Sequence, residues 1–218
     1  MKIGIIGAGH IGGNLARRLT AAGHDVSIAN SRGPETLGDV ASETGAKPVQ
    51  VADAARDKDL VIVTIPEKGV PELPRDLFAT ASTSTVVVDT GNYYPKRDGK
   101  IAPIEDGETE SRWVSAQLGR PVVKAFNTIY AHNIVDRPRP KGDEKRLALP
   151  VAGDDTHAKQ VVMQVIDQIG FDSVDAGGLD DSWRQQPGTP VYGAELDVSG
   201  VQHALAEARQ ERPKEFRA

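Results

Sequence analysis

Gly7, Gly9 and Gly12 are the residues whose spacing most directly implies chemistry in this chain. They belong to Gly7-Ala8-Gly9-His10-Ile11-Gly12, a complete GxGxxG. The apolar run Lys2-Ile3-Gly4-Ile5-Ile6 leads into it, and the helical pattern Leu15-Ala16-Arg17-Arg18-Leu19 leads out of it. A strand, a glycine turn and a helix in that order build a pyrophosphate site. Gly7 permits the tight turn, Gly9 lets the backbone approach the phosphates, and Gly12 lets the helix pack close to the strand. The helix N-terminus then offers free N–H groups and a positive dipole end to the anion. His10 and Ile11 lie inside this loop and border the same ligand.

The second strand, Asp25 to Ala29, selects among dinucleotides. A site built for NAD ends that strand in an acidic residue, about 20 residues past the glycines, which binds the ribose 2′-hydroxyl. Here Asn30-Ser31-Arg32 follow the strand, with no carboxylate. A hydroxyl and a guanidinium suit a 2′-phosphate through charge-assisted hydrogen bonds. The expected ligand is therefore NADP(H). The bland alternative makes Ser31 a helix cap and Arg32 a solvated charge.

No catalytic dyad or triad stands out: there is no GxSxG, no HExxH and no Walker lysine motif. Of His10, His24, His132, His157 and His203, none has a carboxylate or second histidine at a ligand-like spacing, so neither a catalytic nor a metal-ligating residue is assigned. His24 and His203 read as surface residues. Transfer of hydride between two carriers needs alignment and dehydration more than proton chemistry. Three loops could provide that alignment. They are Thr64-Ile65-Pro66, the stretch Asp89 to Pro95 with Asn92, Tyr93 and Tyr94, and the stretch Lys124 to Tyr130 with Asn127, Thr128 and Ile129. Their mixture of apolar walls and a few fixed donors suits a flat ring, although Asn92 and Asn127 also favour turns. Trp183 to Tyr192 is an aromatic-bearing loop that caps the pocket or forms a dimer contact.

The elements that must position these loops alternate. Strands are expected at Val49–Val51, Asp59–Ile65, Thr85–Asp89, Pro121–Phe126, Leu147–Ala152 and Phe171–Asp175. Helices are expected at Pro34–Thr44, Ala52–Arg56, Thr109–Leu118, Asp154–Ile169 and Val201–Arg209. Near-continuous apolar runs mark strands covered on both faces, and the alternation gives a doubly wound, mostly parallel sheet. Ligands then sit beyond the carboxyl ends of the strands. A boundary near Phe126 divides the chain into a nucleotide-binding domain, 1–126, and a smaller, helical C-terminal lobe, 127–218, that completes the second-substrate pocket. The charged stretch Asp136 to Arg146 reads as an exposed, solvated loop.

Composition bounds the rest. The 218 residues carry a formal net charge of −5, which argues against nucleic acid as the main partner. There is no run of 18 apolar residues to span a membrane, and Ile3 to Ile6 is too short for a signal-peptide core. The absence of cysteine excludes disulfides and thiol nucleophiles and fits a cytoplasmic protein.

Taken in order, the glycine fingerprint, Asn30-Ser31-Arg32, Thr64-Ile65-Pro66, Phe126-Asn127-Thr128-Ile129, Val151-Ala152-Gly153-Asp154-Asp155 and Asp175-Ala176-Gly177 resemble the NADPH:coenzyme F420 oxidoreductases and their bacterial relatives. The oxidoreductase domain of the STEAP metalloreductases is similar. The resemblance runs through Ala176 and is weaker beyond it. It implies a Rossmann domain with a small C-terminal lobe, usually in a homodimer. It implies NADP(H) on positions matching Gly9, His10, Ile11, Ser31 and Arg32, and a deazaflavin ring near Asn127, Thr128 and Ile129. Archaeal members tend to carry histidine where this chain has Asn127, which leaves F420, a flavin (FMN or FAD) or another acceptor open. Two rivals remain. One is a reductase of a small carbonyl or imine with Tyr93, Tyr94 or His132 as proton donor. The other is a non-catalytic NADP sensor.

Overall fold

The computed structural model describes Met1 to Ala218. Its elements follow the chain as β1 (Lys2–Ile6), α1 (His10–Ala21), β2 (Asp25–Ala29), α2 (Gly38–Thr44), β3 (Lys47–Pro48), α3 (Val51–Ala55), β4 (Leu60–Val63) and β5 (Val86–Asp89). Next come α4 (Pro95–Asp98), α5 (Ala102–Glu105), α6 (Glu110–Leu118), β6 (Val123–Lys124), α7 (Asn133–Asp136), β7 (Ala148–Val151), α8 (Thr156–Gln168), β8 (Asp172–Asp175) and α9 (Val198–Glu207). The first six strands are all parallel, in the order β3-β2-β1-β4-β5-β6. That is the doubly wound order of dinucleotide-binding folds, with its switch point between β1 and β4.

Local sequence explains why these segments take their places. Every residue of β4 and β5 is buried, as expected of strands sandwiched between helices. Helix α1 turns Gly12, Leu15, Ala16 and Leu19 inward, an i, i+3, i+4, i+7 stripe against the sheet. Helix α8 is capped by Asp155, whose carboxylate accepts from His157 and Ala158 N–H.

Strands β7 and β8 form a second, parallel pair around α8. They join the main sheet through one antiparallel rung, where Lys124 and Ala152 exchange backbone hydrogen bonds of 2.8 and 3.0 Å. A single cluster of 26 buried apolar residues runs from Ile3 and Leu15 to Val151, Ile166 and Phe171, so the packing passes across position 126.

Three local expectations need correction. The short third strand is Lys47–Pro48, and Val51 already begins α3 with Gln50 as its cap. Apolar character at Val49 and Val51 misled because the run is too short to separate strand from helix. Pro34–Leu37 is a 3-10 turn preceding α2. Arg146, in the stretch expected to be solvated, is buried. It donates to the Asp167 carboxylate and to the Asp167 and Phe171 carbonyls, tying the end of α8 to β8.

Candidate functional site

The glycine loop separates the needs of the fold from those of a ligand. Gly7 adopts φ +117°, and a Cβ there would lie 2.2 Å from the Thr64 carbonyl. At Gly12 a Cβ would lie 1.9 Å from the Gly7 carbonyl oxygen and 2.8 Å from Thr64 Cγ2. Both positions are glycine because β1, β4 and α1 touch there. At Gly9 an added Cβ meets nothing within 4 Å. Its missing side chain serves no neighbour in the protein and leaves open space over the start of α1. No side chain caps α1, so its first-turn N–H groups face that space unpartnered. The residues therefore fit a pyrophosphate: the cradle is preformed, and Gly9 keeps it clear of side-chain atoms where the backbone must approach the anion. His10 is exposed and Ile11 half-buried at the rim. A cavity of about 270 Å³ lined by Ala8, Gly9, His10, Asn14, Arg17 and Val40 opens beside them.

Asn30 shapes the end of β2. Its amide oxygen accepts from Arg32 N–H at 3.0 Å, and its amide nitrogen donates to Thr36 at 2.9 Å. This turn presents Ser31 and Arg32 to solvent. Arg32 makes no ion pair, unlike Arg17, which pairs with Glu43 at 3.0 Å.

The loops beyond β4, β5 and β6 lie against one another with their polar groups turned inward. Thr64 and Ile65 are half-buried against the glycine loop, and Pro66 is exposed. Asn127 is buried and its amide is consumed within the protein. It donates to Asn92 Oδ1 (3.0 Å) and the Gln185 carbonyl (2.6 Å), and it accepts from Gln185 Nε2 (2.9 Å). Asn92 in turn donates to the Asn127 carbonyl at 3.0 Å. Thr128 and Ile129 are buried beside this junction, and the Thr128 carbonyl accepts from Gly193 N–H. Phe126, fully in the core, holds a left-handed backbone at φ +63°. Tyr130 and His132, exposed at the mouth, stack with centroids 5.8 Å apart.

Beneath these loops lies a buried group of charges that motif reasoning missed. Lys124, fully buried at the end of β6, donates to Asp89 Oδ2 (3.0 Å) and to the Gly91 carbonyl (2.6 Å). Ser111 donates to the same carboxylate oxygen at 2.6 Å. Glu110 receives Arg212 at 3.0 Å. Glu67 is fully buried and neither of its carboxyl oxygens has a partner. A Cβ at Gly91 would sit 2.4 Å from Glu67 Oε1 and 3.0 Å from Asp89 Oδ1, so the glycine makes room for two acids. Burial, then the charge of Asp89, pushes the Glu67 carboxyl well above its ordinary range. Burial also raises Glu110, with Lys124 and Arg212 opposing. Burial alone would weaken the Lys124 ammonium, but the nearby acids, Asp89 first and Glu110 next, outweigh it and raise the lysine. The signal available in sequence was a charge closing an apolar run, as in Val-Val-Val-Asp89 and Val-Val-Lys124.

The Tyr93 and Tyr94 hydroxyls are engaged within the protein. Tyr93 is buried with its hydroxyl on the Gly99 carbonyl at 3.0 Å. Tyr94 meets the Tyr192 hydroxyl. Burial raises the pKa of both.

The order of the sheet and the open glycine cradle define a Rossmann-type dinucleotide-binding protein. Residues 2–93 match the model of the family described as NADP oxidoreductase, coenzyme F420-dependent. The chain is 34% identical to a hypothetical protein, SMa0349, of Sinorhizobium meliloti, whose crystal structure superposes with a TM-score of 0.75 over 90% of this chain and 95% of that one. A proposed F420-dependent NADP reductase from Arthrobacter sp. FB24 is similar in fold, with a TM-score of 0.65 at 24% identity over 82% of this chain and 85% of that one. YjhV of Escherichia coli K12 is 41% identical over 78 residues, 35% of this chain and 57% of that protein. The chain belongs to the F420-dependent NADP oxidoreductase family, a family of NAD(P)-dependent oxidoreductases.

Proposed function

We propose that this protein transfers hydride between NADPH and a deazaflavin of the coenzyme F420 type, with a flavin as the less favoured acceptor. The observation that carries the reading is the pairing of an open position at Gly9 with a free Arg32 on a strand end that has no carboxylate. When bound, NADPH supplies a hydride that the acceptor takes up with a proton from solvent. The α1 amides and Gly9 hold the pyrophosphate, Ser31 and Arg32 hold the 2′-phosphate, and Thr64 to Pro66 line the nicotinamide ribose. The loops at Asn92 and at Asn127 to Ile129 form the wall behind the two rings. Their amides contribute by locking to one another, which fixes the wall without presenting a group that needs to titrate.

A carbonyl or imine reductase would need a proton donor, and the Tyr93 and Tyr94 hydroxyls are engaged within the protein while His132 is exposed. The reading places the cofactor on residues 1–126 and the rest of the acceptor pocket on 127–218, in a cytoplasmic homodimer. Stopped-flow oxidation of NADPH with F420, FMN and FAD offered in parallel tests it. Oxidation is expected with F420, more slowly with FMN or FAD. Tight NADPH binding with no oxidation by any of the three would overturn the deazaflavin and flavin reading, and failure with a panel of carbonyls and imines as well would favour a sensor.

A further inference from the structure

The C-terminal segment after α9 does not trail into solvent. It returns to the body and inserts Arg212 between three segments. The guanidinium donates to Glu110 at 3.0 Å and to Gln186 Oε1 at 3.4 Å, and it lies over the Tyr93 ring at 5.1 Å. Two more contacts flank it. Pro213 and Phe216 fill the space left by Gly188, where a Cβ would lie 2.6 Å from Pro213 Cγ and 3.1 Å from Phe216 Cδ2. Phe216 also packs on Tyr94 at 6.1 Å, and the Tyr94 hydroxyl reaches Tyr192. A cavity of about 310 Å³ bounded by Trp183, Gln186, Thr109 and Arg212 lies along the seam.

Two of the three partners of Arg212, Tyr93 and Gln186, belong to the segments 92–98 and 183–192 that flank the acceptor side of the proposed cleft, and the third, Glu110, opens α6. Glu110 is fully buried and already faces the charge of Lys124; Arg212 adds the direct ion pair, delivered from a segment with no place in the sheet. Its planar fork and its stack on Tyr93 use geometry that a lysine does not reproduce.

We propose that Arg212 is a positioning residue: the C-terminal segment uses it to clamp the Tyr93–Tyr94 loop to the Trp183–Tyr192 loop, and so sets the acceptor side of the cleft without touching the cofactor side. This rests on the acceptor lying between those loops. The clamp itself is tested independently of any acceptor.

In full-length Arg212→Met, hydrogen exchange is expected to accelerate at 92–98 and 183–192 and to stay unchanged at 7–13. NADPH affinity, read from its fluorescence, is expected to stay unchanged, while KM for F420 rises about tenfold with little change in kcat. Arg212→Lys is expected to recover only part of the protection. Should Arg212→Met fail to fold because Glu110 is left uncompensated, Glu110→Gln combined with Arg212→Met removes both charges and is read in the same way. Unchanged exchange in both loops, or a uniform rise throughout the chain, would overturn the proposal. Full protection in the double variant would overturn it too, by reducing Arg212 to a counter-ion. If exchange responds as expected but no acceptor is turned over, the clamp stands and the functional reading falls.

Discussion

The two ends of the cleft are built on opposite plans. At the glycine loop the protein leaves room: Gly9 faces open space, the α1 amides are uncapped, and Arg32 is unpaired. At the loops after β5 and β6 the protein fills itself. Asn92, Asn127 and Gln185 satisfy one another, Asp89 is paired with Lys124, and Arg212 is drawn in from the C-terminal segment. A dinucleotide is gripped chiefly by backbone, which a short local motif can encode. The opposite wall is built where distant segments meet, and no short motif can encode that. On the proposed function, free groups at one end give affinity, whereas spent groups at the other give shape.

The contrast can be broken most severely at Gly12. Gly12→Ala is expected to abolish cooperative folding, since its Cβ would strike a backbone oxygen at 1.9 Å. A native-like circular dichroism melt for this variant would refute the packing role assigned to it. Lys124→Met comes next. It strands the buried Asp89 carboxylate, and a loss of about 3–5 kcal/mol is expected in urea unfolding. Asp89→Asn in the same chain should recover most of it, and no recovery would mean that the lysine acts by packing.

Gly9→Ala should leave the melt unchanged yet weaken NADPH about hundredfold, the worth of roughly two hydrogen bonds to a charged group. A variant that binds normally would show that the open space is not the phosphate cradle. Arg32→Ala should cost about tenfold or more in NADPH affinity and leave NADH unchanged. Equal losses for both cofactors would refute the 2′-phosphate assignment.

The smallest effect is at Glu67. The folded protein keeps a proton on this carboxyl that the unfolded chain releases above the ordinary glutamate range. Between the ordinary and the raised value the native state binds more protons, so stability falls as pH rises. Glu67→Gln should flatten that fall, with a larger gain in melting temperature at pH 8 than at pH 5. A gain independent of pH would show that the acid is already ionised in the fold.

Much of this was legible from sequence where one residue had one duty. The order strand, glycine turn, helix followed from Gly7 to Gly12, and the apolar runs at β4 and β5 announced buried strands. Glu67 was not legible, because a glutamate followed by Lys68 and Gly69 looks like any solvated turn. Arg212 lies in a charged stretch whose composition suggests solvent, and only the fold brings it to Glu110, 102 residues away. Asn127 could be placed in the right loop, but the amide partners that occupy it come from elsewhere in the chain.

Phe126 gives the junction between the two halves of the cleft a mechanical character. A left-handed backbone at a non-glycine residue costs about 1–3 kcal/mol, and burial of a phenyl ring contributes about 1.5–3 kcal/mol, so the two nearly balance. Glycine would accept this backbone freely but would leave the ring's volume empty and the next residue able to swivel. Phenylalanine makes the position a detent: the chain leaves β6 in one indexed orientation, and Asn127 arrives with its amide already aimed at Asn92 and Gln185.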